Sequence, residues 1–315
     1  MNSIKPVIPP VPKHKLEAEL TKELFVRNTN KGQKKIYDFS HLEAPHLMLE
    51  VGRLRELTFR AAGGGTGKEI DIDEFDVSRI PYRQLIVWDS ETKEILGGYR
   101  YILGNQLKPV KEDIALLATA ELFYFSKKFV EDYLPFTIEL GRSFVQPNYQ
   151  ASKIGAKSLF TLDNLWDGLG SLIVKNPEMK YFFGKVTMYT SYNQEARDII
   201  SIFMDIYFND SQKLVYPIDP VKPHIEEKIV REMFAGDNFT EDYKILSKKV
   251  RELGENIPPL FNAYMSLSPT MKTFGAAVNE HFGGVEETGI ILTIKELYEN
   301  KVNRHINSYN PNDCL

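Results

Sequence analysis

Cysteine is almost absent from this chain, since Cys314 is the only one among 315 residues. A single cysteine excludes a framework of internal disulfides and any metal site built on cysteine. Histidine is scarce as well, with six residues and no close cluster, which argues against a structural metal site held by histidine. We therefore expect no bound metal.

Long apolar runs and an excess of positive charge are also missing. No stretch approaches the ~20 apolar residues that a membrane-spanning helix needs, and the first residues, Met1 to Pro6, lack the apolar core of a signal peptide. The net charge is −4, so the composition gives no support for a nucleic-acid partner. These absences predict a reduced, cytoplasmic protein.

The segments that are present predict a mixed α/β fold built on one sheet. A proline-rich arm begins the chain, and an amphipathic helix follows Pro45, with apolar residues at helical spacing. The later predicted elements are, in chain order, a β-hairpin over 84–103, a strand over 136–145, a helix over 152–174, a strand over 181–189, a helix over 195–208 and a strand over 288–294.

The most informative segment is the strand Phe136-Thr-Ile-Glu-Leu-Gly-Arg-Ser-Phe-Val145, which carries two charges three residues apart. In a regular strand, Glu139 and Arg142 would point to opposite faces. A bulge at Gly141 would bring both side chains to one face and would leave a ladder hydrogen bond unmade. A charged pair on a bulged inner strand is typical of a functional site.

Other charged residues lie on either side of this strand in the sequence. Asp73 and Asp76 belong to an acidic run that, taken alone, is typical of a solvated loop. Arg100 lies on the second strand of the hairpin, where a surface salt bridge worth at most ~1 kcal/mol is the simplest interpretation. If these residues converge with Glu139 and Arg142 over one sheet, they form a network suited to a charged substrate.

The residues after the strand predict the start of a helix near Gln150, with Lys153, Gly155 and Lys157 close to its beginning. Unpaired N–H groups at a helix start, joined by lysines, suit a pyrophosphate or the phosphate of a phosphopantetheine arm. A capped surface helix explains the same pattern equally well.

The glycine-rich loop Gly63–Gly67, followed by Lys68, is similar to a phosphate-binding loop. It has Ala62 where that motif needs glycine and Glu69 where it needs serine or threonine, and it follows a helix instead of a strand. A flexible lid is the better interpretation.

In this order, the charged residues resemble those of the acyl-homoserine-lactone synthases, a branch of the GNAT acyltransferase superfamily. That branch has an Arg-x3-Phe helix, an Asp-x2-Asp run, an arginine on the next strand and then Glu-x2-Arg. The matching residues are Arg55 and Phe59, Asp73 and Asp76, Arg100, and Glu139 with Arg142.

The chain resembles a second GNAT branch more closely, namely the acyl-carrier-protein-dependent N-acyltransferases of ornithine-lipid and glycine-lipid synthesis, often labelled hemolysin-like. This branch shares those positions and adds the block Glu-Leu-Gly-Arg-Ser-x-Val-x-Pro-x-Tyr, found here as Glu139 to Tyr149. It also has a stretch similar to Ile257-Pro-Pro-Leu-Phe-Asn-Ala-Tyr-Met-Ser-Leu267.

The resemblance implies a GNAT-like fold, which is a mixed, mostly antiparallel sheet with a splayed, bulged central strand, flanked by helices. The resemblance covers residues 45–306, with a helical insertion near 220–255. An extended N-terminal arm over 1–44 and a tail over 307–315 are left outside it.

The resemblance also implies roles for the site residues. Glu139 would be the base, directly or through one water, for an amine that attacks a thioester. The implied catalytic residues are Glu139, Arg142, Asp73 and Arg100. The implied substrate-binding residues are Asp76, Arg55 and Phe59. The residues implied to hold the acyl chain and the pantetheine arm are Phe144, Val145, Gln150, Lys153 and Gly155.

The phosphate loop of the superfamily has a glycine where Lys153 stands. This departure favours an acyl carrier protein as donor over acyl-CoA, because a lysine can bind the single phosphate of the pantetheine arm. The expected partners are acyl carrier protein and a small amino acid, ornithine or glycine, with no bound cofactor. A product with a long tail would bring the protein to the inner face of the membrane. Aromatic residues over 203–208 could serve that contact, although burial in the core fits them better.

The leading interpretation is an N-acyltransferase that moves a 3-hydroxyacyl chain to the amine of an amino acid, the first step of amino-acid lipid synthesis. Two alternatives stay open. One is a catalytically silent protein that binds an acyl chain or a carrier protein. The other is an enzyme like the acyl-homoserine-lactone synthases, although those chains are shorter and lack the Pro258-Pro259 block.

Overall fold

The computed structural model describes residues 4–150 and 156–311, and eight of its strands form one main sheet. In chain order the strands are Phe25–Asn28 (β1), Lys35–Phe39 (β2), Arg83–Asp89 (β3), Glu94–Leu103 (β4), Phe123–Phe125 (β5), Thr137–Val145 (β6), Tyr181–Met188 (β7), Val215–Pro217 (β8), Lys272–Asn279 (β9) and Val285–Thr293 (β10). The α-helices are Lys13–Glu19 (α1), Pro45–Ala61 (α2), Glu74–Val77 (α3), Lys111–Ile114 (α4), Ala156–Lys175 (α5), Gln194–Phe208 (α6), Glu227–Arg231 (α7), Phe239–Glu252 (α8), Pro259–Met265 (α9) and Glu299–Lys301 (α10).

The main sheet has the strand order β1-β2-β3-β4-β6-β7-β10-β9, and β5 pairs with β8 in a small second sheet. Neighbouring strands are antiparallel except β6 and β7, which are parallel. These two pair over Thr137–Leu140 and Tyr181–Gly184 and then separate. Gly184 permits their close approach, because a Cβ there would lie 2.6 Å from the carbonyl oxygen of Leu140. The mixed, mostly antiparallel sheet predicted from the sequence is confirmed.

Strand β6 is bulged, one residue away from the predicted position. Gly98 of β4 pairs with Phe144, whereas Arg100 pairs with Gly141, so β6 has one residue more than β4 in this stretch. The residue with a left-handed backbone is Arg142, with φ of 50°, and not the neighbouring glycine. The bulge therefore places a charged side chain at a backbone conformation that favours glycine.

Helices cover both faces of the main sheet. Helices α5 and α6 pack on the face that carries Tyr99, Tyr101 and Phe182. Helix α2 covers Ile86 and Trp88 on the opposite face, and an aromatic cluster continues along that face beside it. The alternation of the strands thus puts the predicted charged residues on the α2 side of the sheet.

The N-terminal segment differs from the extended arm predicted over residues 1–44. Helix α1 lies in it, and β1 and β2 are the first two strands of the main sheet. Val26, Ile36 and Phe39 are buried there. The two strands are four and five residues long, so their alternation covers too few positions to give a clear sequence pattern.

The glycine-rich loop after α2 is held by hydrogen bonds, in contrast to the predicted flexible lid. Glu56 Oε2 accepts from the N–H of Thr66 at 3.0 Å and from its hydroxyl at 2.8 Å. Glu56 Oε1 accepts from the N–H of Gly67 at 2.8 Å. The N–H of Lys5 donates to the carbonyl of Gly67 at 3.0 Å, so the beginning of the described chain is joined to this loop.

The later predictions for helices agree with the structure. Phe203 and Phe208 are buried in the core, as the sequence favoured for 203–208. The segment near 220–255, predicted to be helical, contains α7 and α8. In the segment predicted as a tail, Tyr309 is buried with the Arg27 guanidinium 5.3 Å from its ring centroid. None of the helices that the structure describes is long and apolar enough to cross a membrane.

Candidate active site

The acidic run forms the cap and first turn of the short helix α3. The Asp73 carboxylate accepts from the N–H groups of Phe75 and Asp76, and Asp76 Oδ2 accepts from the N–H of Asp73 at 3.2 Å. This reciprocal arrangement is a capping box. It fixes both carboxylates beside the α2 face of the sheet.

Two arginines from neighbouring strands bind this acidic segment. Arg100 Nη1 lies 2.5 Å from Asp73 Oδ1 and 3.2 Å from Asp76 Oδ2. Arg142 Nε lies 2.9 Å from Asp71 Oδ2, and its Nη2 lies 3.3 Å from Asp73 Oδ2. The structure thus brings together the acids and arginines that the sequence predicted, and Asp71 joins them.

Arg55 and Asp76 form the buried base of this network. The guanidinium of Arg55, on α2, donates to both carboxylate oxygens of Asp76 at 3.1 and 3.3 Å, and neither side chain is exposed. Burial opposes ionisation of Asp76, but Arg55 and Arg100 outweigh it and hold the pKa of this carboxyl far below its usual range. Both residues lie behind the cavity described below, so they support Arg100 instead of lining a binding surface.

Glu139 is fully enclosed on the same face of the sheet. Its Oε1 accepts from the N–H of Thr119 at 3.0 Å and from the Thr119 hydroxyl at 2.6 Å, and Oε2 is hydrogen-bonded to the Tyr82 hydroxyl. The Tyr82 oxygen accepts in turn from the N–H of Ala118 at 2.9 Å. Burial raises the pKa of the Glu139 carboxyl, although the hydrogen bonds from Thr119 and Tyr82 favour its charged form.

A cavity opens where β6 and β7 separate. The side chains and backbone that line it come from α2, α9, β4, β6, β7, β10 and two connecting segments. The lining residues are Phe59, Arg100, Ala118, Glu139, Leu140, Gly141, Arg142, Ser143, Lys185, Thr187, Leu260, Tyr264, Phe282 and Glu287. Four of the predicted site residues therefore meet in one cavity, namely Phe59, Arg100, Glu139 and Arg142. The bulge brings Glu139 and Arg142 to one face, as predicted.

The Pro-Pro-Leu block and the loop before β10 form the apolar part of this cavity. Leu260 and Tyr264 come from α9, within the stretch that resembles the second GNAT branch. Phe282 packs edge-on against Phe59 with ring centroids 5.1 Å apart. The Arg142 guanidinium lies 4.3 Å from the centroid of the Phe282 ring, within the range of a cation–π contact.

A second charged pair lies in the cavity, Lys185 with Glu287, and it was not predicted from the sequence. Lys185 Nζ lies 2.7 Å from Glu287 Oε2, and the two side chains are 8% and 4% exposed. Burial opposes ionisation of Glu287, but Lys185 outweighs it and lowers the pKa of this carboxyl. A lysine inside the otherwise apolar strand Tyr181–Met188 was the available signal, but its partner is set by the pairing of β7 with β10.

The residues predicted to hold the acyl chain and pantetheine arm lie beside the cavity or outside the described residues. Phe144 is buried, and Val145 pairs with Gly97 of β4. The side chain of Gln150 donates to the carbonyl of Val145 at 2.9 Å. Lys153 and Gly155 lie outside the described residues, so their predicted contact with a phosphate stays a prediction.

This arrangement can accept a proton and bind negative charge within one enclosed space. Glu139 offers a buried carboxyl with a raised pKa, and Arg142 and Lys185 offer positive groups beside it. A carboxylate that can take a proton next to fixed cations suits the attack of an amine on a carbonyl, where a proton leaves and negative charge develops.

The chain is similar to known acyltransferases. Residues 54–158 match a family described as acetyltransferase (GNAT) domain. The chain is 53% identical to a glycine N(alpha)-acyltransferase of Phocaeicola vulgatus, over 96% of this chain and 93% of that one. It is 54% identical to a glycine N(alpha)-acyltransferase of Bacteroides thetaiotaomicron, over 96% of this chain and 90% of that one.

Among solved structures, the chain is similar to FeeM, an N-acyl amino acid synthase from uncultured soil microbes. The match has a TM-score of 0.39 at 13% identity and covers 84% of this chain and 92% of that one. The two curated relatives, by contrast, share more than half of their residues with this chain over nearly their whole length. The protein therefore belongs to the family of these two relatives and is an acyltransferase with a GNAT domain.

Proposed function

We propose that the protein transfers a 3-hydroxy fatty acyl group from acyl carrier protein to the amine of glycine, as the first step of amino-acid lipid synthesis. The observation that carries this proposal is the buried Glu139 carboxyl in a cavity that also contains Arg142 and Lys185. The names of the two relatives support glycine over ornithine as the acceptor.

In the proposed reaction, the acceptor's nitrogen attacks the thioester carbonyl carbon. The ammonium of the acceptor must lose a proton before its nitrogen can attack, and a carboxylate with a raised pKa can accept a proton during this step. Glu139 takes the amine proton, directly or through one water. The new N–C bond forms, the C–S bond breaks, and the proton passes on to the departing thiolate of the pantetheine arm.

The network around Arg100 has a supporting role in this proposal. Asp73 and Asp76 neutralise Arg100, and Asp71 and Asp73 hold Arg142 by two of its nitrogens. A guanidinium fixed in this way needs no reorganisation when negative charge develops on the thioester oxygen. We infer that Arg142 is the group that faces this oxygen, because it lines the cavity at the point where β6 and β7 part.

Mass spectrometry of a defined reaction tests the function. The purified chain is incubated with 3-hydroxyacyl carrier protein or with the matching acyl-CoA, and with glycine, ornithine or a pool of other amino acids. We expect N-acylglycine from the carrier-protein donor and little product from acyl-CoA.

Each part of the proposal can fail separately in this experiment. An N-acylornithine product would show that ornithine, and not glycine, is the acceptor. Equal rates from acyl-CoA would show that the donor need not be a carrier protein. A reaction in which every donor stays intact would contradict the proposed reaction as a whole.

A further inference from the structure

The buried pair of Lys185 and Glu287 has been given no contact with a substrate so far. Lys185 Nζ contacts Glu287 Oε2 at 2.7 Å and the carbonyl oxygen of Ala118 at 3.2 Å. Asn279 donates to Glu287 Oε2 at 3.2 Å, and the Thr187 hydroxyl lies 3.4 Å from Oε1. The lysine is thus held in one orientation at the wall of the cavity.

Lys185 is the cation of the cavity with the fewest carboxylates around it, among the residues that the structure describes. Arg100 lies against Asp73 and Asp76, and Arg142 has two carboxylate partners of its own, whereas Lys185 has Glu287 as its single carboxylate partner. An ammonium group has three N–H donors, and the contacts with Glu287 and Ala118 occupy two of them. The third is available to an anion in the cavity.

Lys185 and Glu139 contact the same peptide group at the wall of the cavity. Lys185 donates to the oxygen of the peptide group between Ala118 and Thr119, and the N–H of this same group donates to Glu139 Oε1 at 3.0 Å. The C=O and N–H of a trans peptide point in opposite directions, so the ammonium and the carboxylate lie on opposite sides of this one group. Both side chains line the same cavity, so a molecule that has both an amine and a carboxylate can contact the two of them at once.

We propose that Lys185 binds the carboxylate of the acceptor amino acid, while Glu287 positions Lys185 for this contact. This inference rests on the proposed function. The acceptor lies alongside the Ala118–Thr119 peptide, with its carboxylate at Lys185 and its amine at Glu139. Arg100 and Arg142 are each held by two aspartates, which leaves Lys185 as the anchor.

The rest of the cavity supports an acceptor without a side chain. Leu260, Phe59 and Phe282 contribute most of its apolar lining, and a second charge on the acceptor would meet no opposite charge among them. This wall therefore favours an acceptor as small as glycine.

Kinetics with glycine and with glycinamide test this assignment, because glycinamide has the amine but lacks the carboxylate. We expect the Lys185→Met variant to lose about 10- to 100-fold in kcat/KM for glycine, mainly through KM, which is the effect of one charge-assisted hydrogen bond. The kcat/KM for glycinamide should fall much less than that for glycine, because glycinamide makes no such bond.

Two further variants keep the test independent of folding. The double variant Lys185→Met with Glu287→Gln removes both charges, so neither is left buried without a partner, and it should show the same selective loss for glycine. Lys272→Met is the matched control. Lys272 lies on β9 outside the cavity and pairs with Asp210, so this variant should leave both kcat/KM values unchanged.

The outcomes separate the two proposals. Two results would show that Lys185 is not the anchor of the carboxylate. One is a Lys185→Met variant that keeps the kcat/KM of the unsubstituted enzyme for glycine. The other is a double variant in which kcat/KM falls equally for glycine and for glycinamide. If the unsubstituted enzyme acylates no amino acid at all, the proposed function itself has failed.

Discussion

Burial and hydrogen bonding act in opposite directions on Glu139. Burial favours its neutral form and prevails, so the pKa of this carboxyl lies above the ordinary value for glutamate. If Glu139 is the base, kcat/KM should fall on the acid side at a higher pH than an exposed glutamate would give. A profile of kcat/KM against pH measures the pH at which this fall occurs.

The Glu139→Gln variant extends this prediction to stability. Turnover should drop by about 10²- to 10⁴-fold, the usual contribution of a general base. The folded state holds the Glu139 proton more tightly than the unfolded chain does, so this group stabilises the fold at low pH and loses that effect as pH rises past the folded pKa. The melting temperature of the variant relative to the unsubstituted protein should therefore be higher at pH 8 than at pH 5. A difference that does not change with pH would contradict the assignment of a raised pKa.

At the scale of elements, the bulge in β6 predicts how two substitutions of Arg142 differ in stability. Arg142 has φ of 50°, a conformation that costs a residue with a Cβ roughly 1 kcal/mol. Arg142→Gly and Arg142→Ala both lose the ion pairs with Asp71 and Asp73 and should both be inactive. Urea unfolding should find the glycine variant more stable than the alanine variant by about 1 kcal/mol.

Lys213 provides the matched control for this comparison. It also has φ of 50° but is exposed and lies outside the cavity. Lys213→Gly should again be more stable than Lys213→Ala by about 1 kcal/mol, with activity unchanged in both. If the two Lys213 variants differ but the two Arg142 variants do not, the aspartates hold the bulge and the backbone relaxes without them.

The features that were predicted well from the sequence are those whose residues lie next to each other in the chain. The hairpin of β3 and β4 was predicted because alternation and a polar turn lie next to each other in the chain, and the charges of β6 suggested its bulge. Lys185 and Glu287 were missed because they meet through the register of β7 with β10, which no local pattern encodes. Tyr82 and Thr119 were missed for a related reason, since both are polar residues outside regular strands that reach Glu139 only in the folded chain.

At the scale of the whole molecule, a buried polar contact joins the two ends of the described chain. Asp167 on α5 accepts from the backbone N–H and the side chain of Asn30, each at 2.8 Å, and contacts His305 Nδ1 at 2.8 Å. Asp167 is 1% exposed and His305 is 5% exposed. The segment after β1 and the last helical turn are therefore both bound to one carboxylate.

Asp167→Ala should lower the free energy of unfolding by about 3 kcal/mol, because it leaves buried donors without their charged acceptor. Helix α5 lies on the face of the sheet opposite the cavity, so the turnover of the folded variant at low temperature should be unchanged. Asp205→Ala is the control: its ion pair with Arg231 is 46% and 40% exposed, and its loss should cost at most about 1 kcal/mol. Equal effects of the two substitutions in urea unfolding would show that Asp167 does not hold the ends together.

The short pairing of β6 with β7 has a consequence for the order of folding. Strands β1 to β4 and β6 are neighbours in the sheet in the same order as in the chain, so each can pair with a strand that is synthesised before it. Strand β7 joins them only after the crossover through α5, and β10 must then enter between β7 and β9. Glu139 and Arg142 lie in the early part, and Lys185 and Glu287 lie in the late part. A newly synthesised chain therefore holds five of the eight strands of its main sheet, with its candidate base in place, before the cavity exists.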